Sequence, residues 1–143
     1  MSEAEALGRG GERLARGVCR ALVEHGHAVL TEVTLPDGLR MDICALGRDG
    51  TLLCVEVKSS RADFLSDAKW PGYLDWCDRL AFAVPEGFPD DLLPPEHGLI
   101  RADAHWAELL REGRTERLAP ARRRAMTLRF ARMAADRLMR PLL

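Results

Sequence analysis

The sequence contains no run of about 18 apolar residues, which is the length that a membrane-spanning helix requires. Its first residues also lack the basic segment and apolar stretch that mark a secretory signal. We therefore expect a soluble, cytoplasmic protein. Its 143 residues hold no internal repeat, low-complexity segment or linker. This absence predicts a single domain over residues 1–143, long enough to bury a sizeable core.

Cysteine is scarce and scattered. The four cysteines form no CxxC or CxxH pair, so the sequence does not favour a structural zinc site, which usually takes two ligands from one short turn. A protein that is not exported does not keep a disulfide framework either. We therefore expect small buried thiols at all four positions, Cys19, Cys44, Cys54 and Cys77.

Lysine is almost absent, since Lys58 and Lys69 are the only two among 21 positive charges. Ten of the arginines fall in residues 111–143 beside only three acidic residues, although the net charge of the chain is -1. The rest of the chain is therefore acidic. An acidic body with an arginine-rich end indicates a polyanionic partner bound at that end. A solvated helix face explains the same arginines and stays an alternative.

Apolar spacing and turn residues predict the order helix, three strands, helix, strand, loop, strand and helix. Residues 105–112 are either a hairpin partner of the preceding strand or a short helix. This order predicts an α/β fold, in which helices flank a mixed central sheet, with a core over about residues 11–112 and a basic helix over about 120–140. The predicted helices are 11–25, a short one from Arg61 and 121–140, and the predicted strands are 27–35, 39–46, 51–58, 80–84 and 98–102.

The hairpin around residues 48–50 places the most informative side chains. Arg-Asp-Gly suits a three-residue loop, in which a type I turn precedes a left-handed glycine. The resulting register places Asp42 opposite Glu56, with carboxyl carbons within about 7 Å, and Cys44 opposite Cys54. Lys58 projects from the face of Glu56. The opposite face is predicted to be apolar, with Met41, Ile43, Ala45, Leu53, Val55 and Val57.

Two opposed carboxylates destabilise a sheet unless a lysine or a hard cation neutralises them. Mg²⁺ takes one or two protein carboxylates and completes its shell with waters and phosphate oxygens. We therefore expect Asp42 and Glu56 to hold Mg²⁺, with Mn²⁺ as a substitute, and Lys58 to position the attacking water. An exposed strand end with an ordinary Glu–Lys pair is the alternative.

This arrangement resembles the PD-(D/E)xK nuclease superfamily, which has a restriction-endonuclease-like αβββαβ core. The superfamily carries its Asp on the second strand and (D/E)xK on the third. Asp42, Glu56 and Lys58 match these positions one by one, while Met41 stands where many members have proline. The resemblance implies hydrolysis of phosphodiester bonds by these residues.

The same resemblance implies further site residues. A Lys or Gln followed four residues later by Tyr often comes after the third strand, and Lys69 with Tyr73 fits this pattern, with the lysine facing the phosphate and the tyrosine bracing it. Glu12 is the candidate for the acidic residue that the first helix often carries. Glu32 on the first strand is a further candidate carboxylate. Asp63 and Asp67, on the second helix, are open to two interpretations: they are either site carboxylates or salt-bridge partners of Arg61 or Lys69.

A longer stretch, VEVKSSRADFLSDAKWPGYLDWCDRLAFAV with GLIRAD and LAPARRRA after it, is similar to the MmcB family of bacterial DNA repair proteins. The similarity extends over roughly residues 13–140, and Trp76 stands where the family has an aromatic residue. It implies a nuclease-like fold and a part in DNA repair, but it does not supply the substrate.

The sequence therefore predicts a metal-dependent endonuclease that acts on damaged or branched DNA. A non-catalytic DNA-binding module that recruits repair partners is the alternative, and RNA processing by the same site is a third hypothesis. No membrane contact is expected, and a homodimer or a repair-protein partner stays open. Four arginines of the last helix are candidates to hold backbone phosphates without reading sequence: Arg122, Arg123, Arg124 and Arg129.

Overall fold

The computed structural model describes the backbone of residues 3–143 and the side chains of residues 10–143. Six strands form one sheet in their sequence order. The strands are β1 Ala28–Thr34, β2 Arg40–Leu46, β3 Leu52–Val57, β4 Arg79–Val84, β5 Gly98–Ala102 and β6 Ala107–Arg111. The α-helices are α1 Glu3–Glu24, α2 Arg61–Ser66 and α3 Pro120–Met139, and 3₁₀ segments span Trp70–Trp76, Asp90–Leu92 and Arg140–Leu142.

The sheet is mixed, as predicted. Strands β1, β2 and β3 are antiparallel neighbours, β3, β4 and β5 run parallel, and β6 returns antiparallel to β5. The open question about residues 105–112 is thus answered in favour of a hairpin partner, with Ala107 paired to Ala102. From α1 to β4 the elements follow the order αβββαβ. The three parallel strands bring their carboxyl ends to one edge of the sheet.

Helices bury both faces of the central strands. Helix α1 covers one face with Leu14, Val18 and Ala21, while α2, the 3₁₀ segment after it and α3 cover the other. Every residue of β3 is buried, which explains why this strand reads as a nearly continuous apolar run. No helix among the described residues is long and apolar enough to span a membrane.

The β2–β3 hairpin has the predicted register. Cys44 pairs with Cys54, the Gly47 N–H donates to the Thr51 carbonyl over 2.8 Å, and Gly50 adopts a left-handed φ of 86°. All four cysteines are free thiols, and three of them are buried, with Cys19 partly so. The turn residues thus predict this pairing correctly.

Strand β1 is kinked at Glu32. With a φ of 51°, Glu32 is the one non-glycine residue with a positive φ in the described part of the chain. Val29 packs against the core under α1, whereas Val33 is buried in the core on the opposite face. Residues four apart on a regular strand share a face, so the side-chain direction reverses at Glu32.

Strand β2 makes the same reversal, and one prediction fails there. Ile43 lies in the core under α1, but Met41 lies in the opposite core with Cys44 and Cys54. The prediction that Met41 shares the face of Ile43 is therefore wrong, because strict alternation holds only along a regular strand. The side-chain direction along β2 changes at Asp42.

Candidate active site

Asp42 lies where strands β2 and β3 separate. The regular pairing of the two strands ends at Ile43 and Val55, and beyond it the two carboxylates take over the backbone hydrogen bonds. Glu56 Oε2 accepts the N–H of Asp42 at 2.9 Å, and Asp42 Oδ2 accepts the N–H of Val57 at 2.8 Å. Each carboxylate is thus held by the backbone of the opposite strand. The structure brings Asp42 and Glu56 together as the register predicts.

The two carboxylates lie in a poorly solvated setting. Glu56 is only 2% exposed, and burial, followed by the negative charge of Asp42, raises the pKa of Glu56 to about 8. Burial also raises the pKa of Asp42, although its hydrogen bond from Val57 and the charge of Lys58 oppose this rise. At neutral pH, Glu56 therefore keeps its proton unless a cation lies beside it.

Lys58 has a carboxylate partner of its own. Its backbone N–H donates to the Ala83 carbonyl at 2.9 Å, and its buried ammonium donates to Asp67 Oδ2 at 2.6 Å. Asp67 also accepts the N–H of Lys69 at 2.7 Å. Partial burial acts to raise the pKa of Asp67, but the hydrogen bonds from Lys58 and from the Lys69 backbone outweigh it and lower the pKa.

The pair of Lys58 and Asp67 differs from the salt bridges that the sequence predicts, which join Asp67 to Arg61 or Lys69 because these residues are close in sequence. The pairing with Lys58 depends on where α2 ends, since Asp67 is the residue that caps its carboxyl end. No local pattern signals that position.

Asp42 lines a cleft of about 780 Å³ that lies between α1 and the edge of the β1–β2 pair. Glu12 and Glu32, the predicted supporting carboxylates, line this cleft together with Asp42, and we refer to it as the candidate catalytic cleft. Glu32 does so at the kink of β1. Within residues 10–143, however, no three acidic, histidine or cysteine side chains lie close enough to form a ready-made metal cage.

Asp63 also lines the cleft, although its position in the sequence equally allows a salt bridge with Arg61 or Lys69. Its N–H bonds to the Ser60 hydroxyl at 3.1 Å, and its carboxylate accepts the N–H of Ser59 at 2.9 Å. The spacing of Ser60 and Asp63 is that of a helix N-terminal capping motif. This spacing was a usable signal, because it fixes the carboxylate at the start of α2, directly after β3.

The predicted Lys69–Tyr73 pair divides between surface and core. Lys69 is exposed, whereas Tyr73 is buried beneath the site. Burial and then the negative charges of Glu56, Asp67 and Asp42 raise the pKa of Tyr73. Tyr73 therefore lies against the acidic cluster, and Lys69 lies at the surface.

Of the four arginines predicted to contact DNA, Arg123 forms an ion pair within the protein. Its guanidinium forms a bidentate ion pair with Asp78, which is 3% exposed, and donates to the Gly50 carbonyl at 2.8 Å. Asp78 also accepts the N–H groups of Leu52 and Leu118. The prediction is revised for Arg123, because a guanidinium paired with a buried carboxylate is not free to bind phosphate.

The other three arginines lie nearer to solvent. Arg122 donates to the Asp75 carbonyl at 3.1 Å, and its guanidinium lies 4.4 Å from the centre of the Trp76 ring. Arg129 donates to the Thr34 carbonyl at 3.0 Å. Arg124 is exposed. These three keep positive charge at the surface of α3.

Comparison with known proteins identifies the family. The model of the MmcB-like DNA repair protein family matches residues 6–142. A solved structure, the SPO1766 protein of unknown function from Silicibacter pomeroyi, matches with a TM-score of 0.88 and 51% identity, covering 91% of this chain and 89% of that chain. No protein with curated annotation matches. The predicted family resemblance is confirmed: the chain belongs to the MmcB-like family of DNA repair proteins.

Proposed function

We propose that this protein is a metal-dependent deoxyribonuclease that hydrolyses phosphodiester bonds during DNA repair. The observation that carries the proposal is the reciprocal bonding of Asp42 and Glu56 across the hairpin, with Lys58 directly after the end of the strand that holds Glu56. Asp42 reaches an open cleft, and membership of a DNA repair family makes DNA the expected partner. The match of Asp42, Glu56 and Lys58 to the PD-(D/E)xK pattern supports the chemistry.

The donor set suits a hard divalent cation. Mg²⁺ commonly binds one or two protein carboxylates, and this strand pair supplies two. Waters and a substrate phosphate complete the coordination shell of the ion. Burial, and then the negative charge of Asp42, raises the pKa of Glu56, so a cation beside the two carboxylates would favour the ionised form of Glu56. When bound, Mg²⁺ would supply Lewis acidity toward the phosphate and lower the pKa of a bound water.

The chain's own residues have distinct tasks in this proposal. Asp42 and Glu56 hold the cation, and each is kept in place by a backbone N–H of the other strand. Lys58 offsets negative charge that develops on the phosphate, and Asp67 fixes the position of its ammonium group. These groups are in place before substrate arrives, which reduces reorganisation during the reaction.

The basic surface of α3 reaches the rim of the candidate catalytic cleft. Arg129 and Arg137 donate to backbone carbonyls of β1 at Thr34, Thr31 and Glu32. Since Glu32 also lines the cleft, a DNA backbone held along α3 passes close to Asp42. Contacts of arginine with phosphate position DNA without reading its sequence.

The test is cleavage of branched, nicked and single-stranded DNA with Mg²⁺ or Mn²⁺. Asp42→Asn should abolish cleavage, whereas Asp91→Asn should keep it, because Asp91 is exposed on the 3₁₀ segment at residues 90–92, outside the candidate catalytic cleft. Metal-dependent cleavage that survives Asp42→Asn in a homogeneous preparation would refute the proposed site.

A DNA-binding module without cleavage is the second candidate. The observation in its favour is that the Lys58 ammonium is buried and paired with Asp67, so that it is not free in the candidate catalytic cleft. In this case the wild-type protein binds branched DNA but leaves it intact at every metal concentration. The same assay, run beside a binding measurement, separates the two candidates.

A further inference from the structure

A second cleft, of about 690 Å³, lies at the carboxyl edge of the parallel strands. Ser59 follows β3, Pro85 and Glu86 follow β4, and the β5–β6 turn supplies Asp103 to Trp106. Open α/β sheets usually bind their ligands at this edge. The second cleft is therefore in a position where a ligand is expected.

Helix α1 separates the second cleft from the candidate catalytic cleft. Gly10, Arg13 and Leu14 line the second cleft, while Glu12 and Ala15 are among the α1 residues that line the candidate catalytic cleft. At 100° per residue, the two sets fall on nearly opposite sides of the helix, whose diameter with side chains is about 10 Å. The two clefts adjoin at the end of β3, where Val57 lines one and Ser59 the other, and at α1, where Gly11 and Gly10 do the same. A short single-stranded segment of DNA can therefore reach both.

The β5–β6 turn presents Trp106 on a rigid support. Asp103 Oδ1 accepts the N–H groups of His105 and Trp106 at 2.7 and 2.9 Å. Gly17 of α1 lets the turn approach closely, because a Cβ at this position would lie 1.9 Å from the Asp103 carbonyl oxygen and 2.7 Å from that of Trp106. The backbone is thus held, and Trp106 stays 44% exposed. Its ring lies 6.1 Å from the ring of His25, because Trp106 lines both the second cleft and a neighbouring cavity that His25 lines.

The charges around this cleft favour a nucleobase over a phosphate. The cleft is lined by the carboxylates of Glu86, Asp103 and Glu108 as well as by Arg13, Arg101 and His105. Arg101 is already paired with Glu86 and Asp90. The lining carboxylates disfavour a phosphate inside the cleft. A neutral aromatic ring meets no such penalty, and stacking on an indole suits any base because every base has a π-face.

We propose that the second cleft binds an unpaired base of the DNA substrate by stacking on Trp106. The proposal rests on the proposed DNA substrate, and it narrows the substrate class to DNA with a single-stranded flap or gap beside the scissile bond. Bases inside an intact duplex are already stacked and cannot enter the cleft. Arg13, at the rim, is placed to meet the backbone of the same strand.

The experiment measures binding of labelled DNA by fluorescence anisotropy in Asp42→Asn protein, so that no cleavage interferes. A blunt duplex is compared with the same duplex bearing a thymine flap. We expect Trp106→Ala to weaken flap binding about tenfold and to leave blunt-duplex binding unchanged, while Trp106→Phe keeps most of the flap affinity. Leu110→Ala is the matched control, because Leu110 is 47% exposed on the neighbouring strand β6 and should change neither.

Equal affinity of the parent and Trp106→Ala for the flap DNA overturns the proposal, as does equal weakening with both DNAs. Photocrosslinking of a 5-iodouracil flap to the Asp42→Asn protein should label Trp106, and labelling elsewhere also overturns it. This readout needs no change at Trp106, so a misfolded alanine variant does not obscure the result. Flap binding through Trp106 in a wild-type protein that cleaves nothing would support the second cleft and refute the nuclease.

Discussion

At the scale of single residues, the environment of Glu56 has the clearest chemical consequence. Its carboxyl group is buried, faces Asp42 and keeps its proton to about pH 8, compared with an ordinary pKa of 4.5. The folded chain therefore binds more protons than the unfolded chain between these pH values. The stabilisation from the protonated group is complete below pH 4.5 and is lost as the pH rises through about 8.

We expect the free energy of unfolding of the metal-free protein to fall from pH 5 to pH 8, and Glu56→Gln to remove most of this fall. A tenfold change in a protonation equilibrium is worth about 1.4 kcal/mol, so the effect is measurable by urea denaturation in EDTA. Added Mn²⁺ should stabilise wild type most at pH 8, where the carboxyl loses its proton readily. Parallel pH profiles for wild type and Glu56→Gln would contradict the assignment.

Lys58 and Asp67 give a second prediction at this scale. Asp67→Asn leaves the buried Lys58 ammonium without its charged partner, and we expect the free energy of unfolding to drop by about 3 kcal/mol. Asp136→Asn is the control. Asp136 pairs with Arg140 at the surface, so removing this ion pair should change the free energy of unfolding negligibly. Equal effects of the two substitutions in urea denaturation would show that the Lys58–Asp67 pair contributes little.

At the scale of elements, the Asp78–Arg123 pair attaches α3 to the sheet. Asp78 bonds to the first residue of β3, to the segment before α3 and to α3 itself. A buried carboxylate that loses its guanidinium keeps the cost of burial without the compensating bonds. Among the arginines of α3, Arg123 thus stabilises the fold, whereas others lie at the surface.

Arg123→Gln should therefore change stability, and Arg124→Gln should change DNA binding. We expect Arg123→Gln to lower the free energy of unfolding by about 2–3 kcal/mol. Arg124→Gln should leave stability unchanged and flatten the slope of log affinity against log salt for duplex DNA by about 0.9. Thermal denaturation and a salt titration of binding measure the two effects. An unchanged salt slope in the Arg124 variant would remove this residue from the DNA surface.

At the scale of the whole molecule, α3 and the candidate catalytic cleft lie on different sides of the sheet but meet at the kink of β1. Arg137 donates to the carbonyls of Thr31 and Glu32 at 2.6 and 2.8 Å. Glu32 holds the positive φ and lines the cleft. Helix α3 therefore stabilises the strand geometry that borders Asp42.

We expect Arg137→Ala to speed amide hydrogen exchange around residues 31–33 about tenfold, which corresponds to roughly 1.4 kcal/mol for its two hydrogen bonds. Arg140→Ala is the control, since Arg140 pairs with Asp136 in the described residues and not with β1. Mass-spectrometric exchange of both variants checks this expectation. Equal protection in the two proteins would show that the kink is held without α3.

Most of the elements and half of the candidate site follow from local patterns. The turn at residues 48–50 determines the hairpin register, which alone places Asp42 across from Glu56 and Cys44 across from Cys54. Apolar periodicity and the prolines locate the helices and strands to within a few residues, with α1 the exception because it begins at Glu3. These features depend on residues that are near in sequence, so the sequence by itself determines them.

The remaining features were decided by the tertiary structure. Asp67 reaches Lys58, and Arg123 reaches Asp78, only because α2 ends and α3 docks where they do. The side-chain direction reverses at Glu32, and this departure from strict alternation buries Val33 in the core on the face of the sheet opposite α1. Each of these is a contact between elements that are distant in sequence or a departure from regular geometry. Burial and charge compensation across the packed molecule selected them, and no local pattern of residues carries that information.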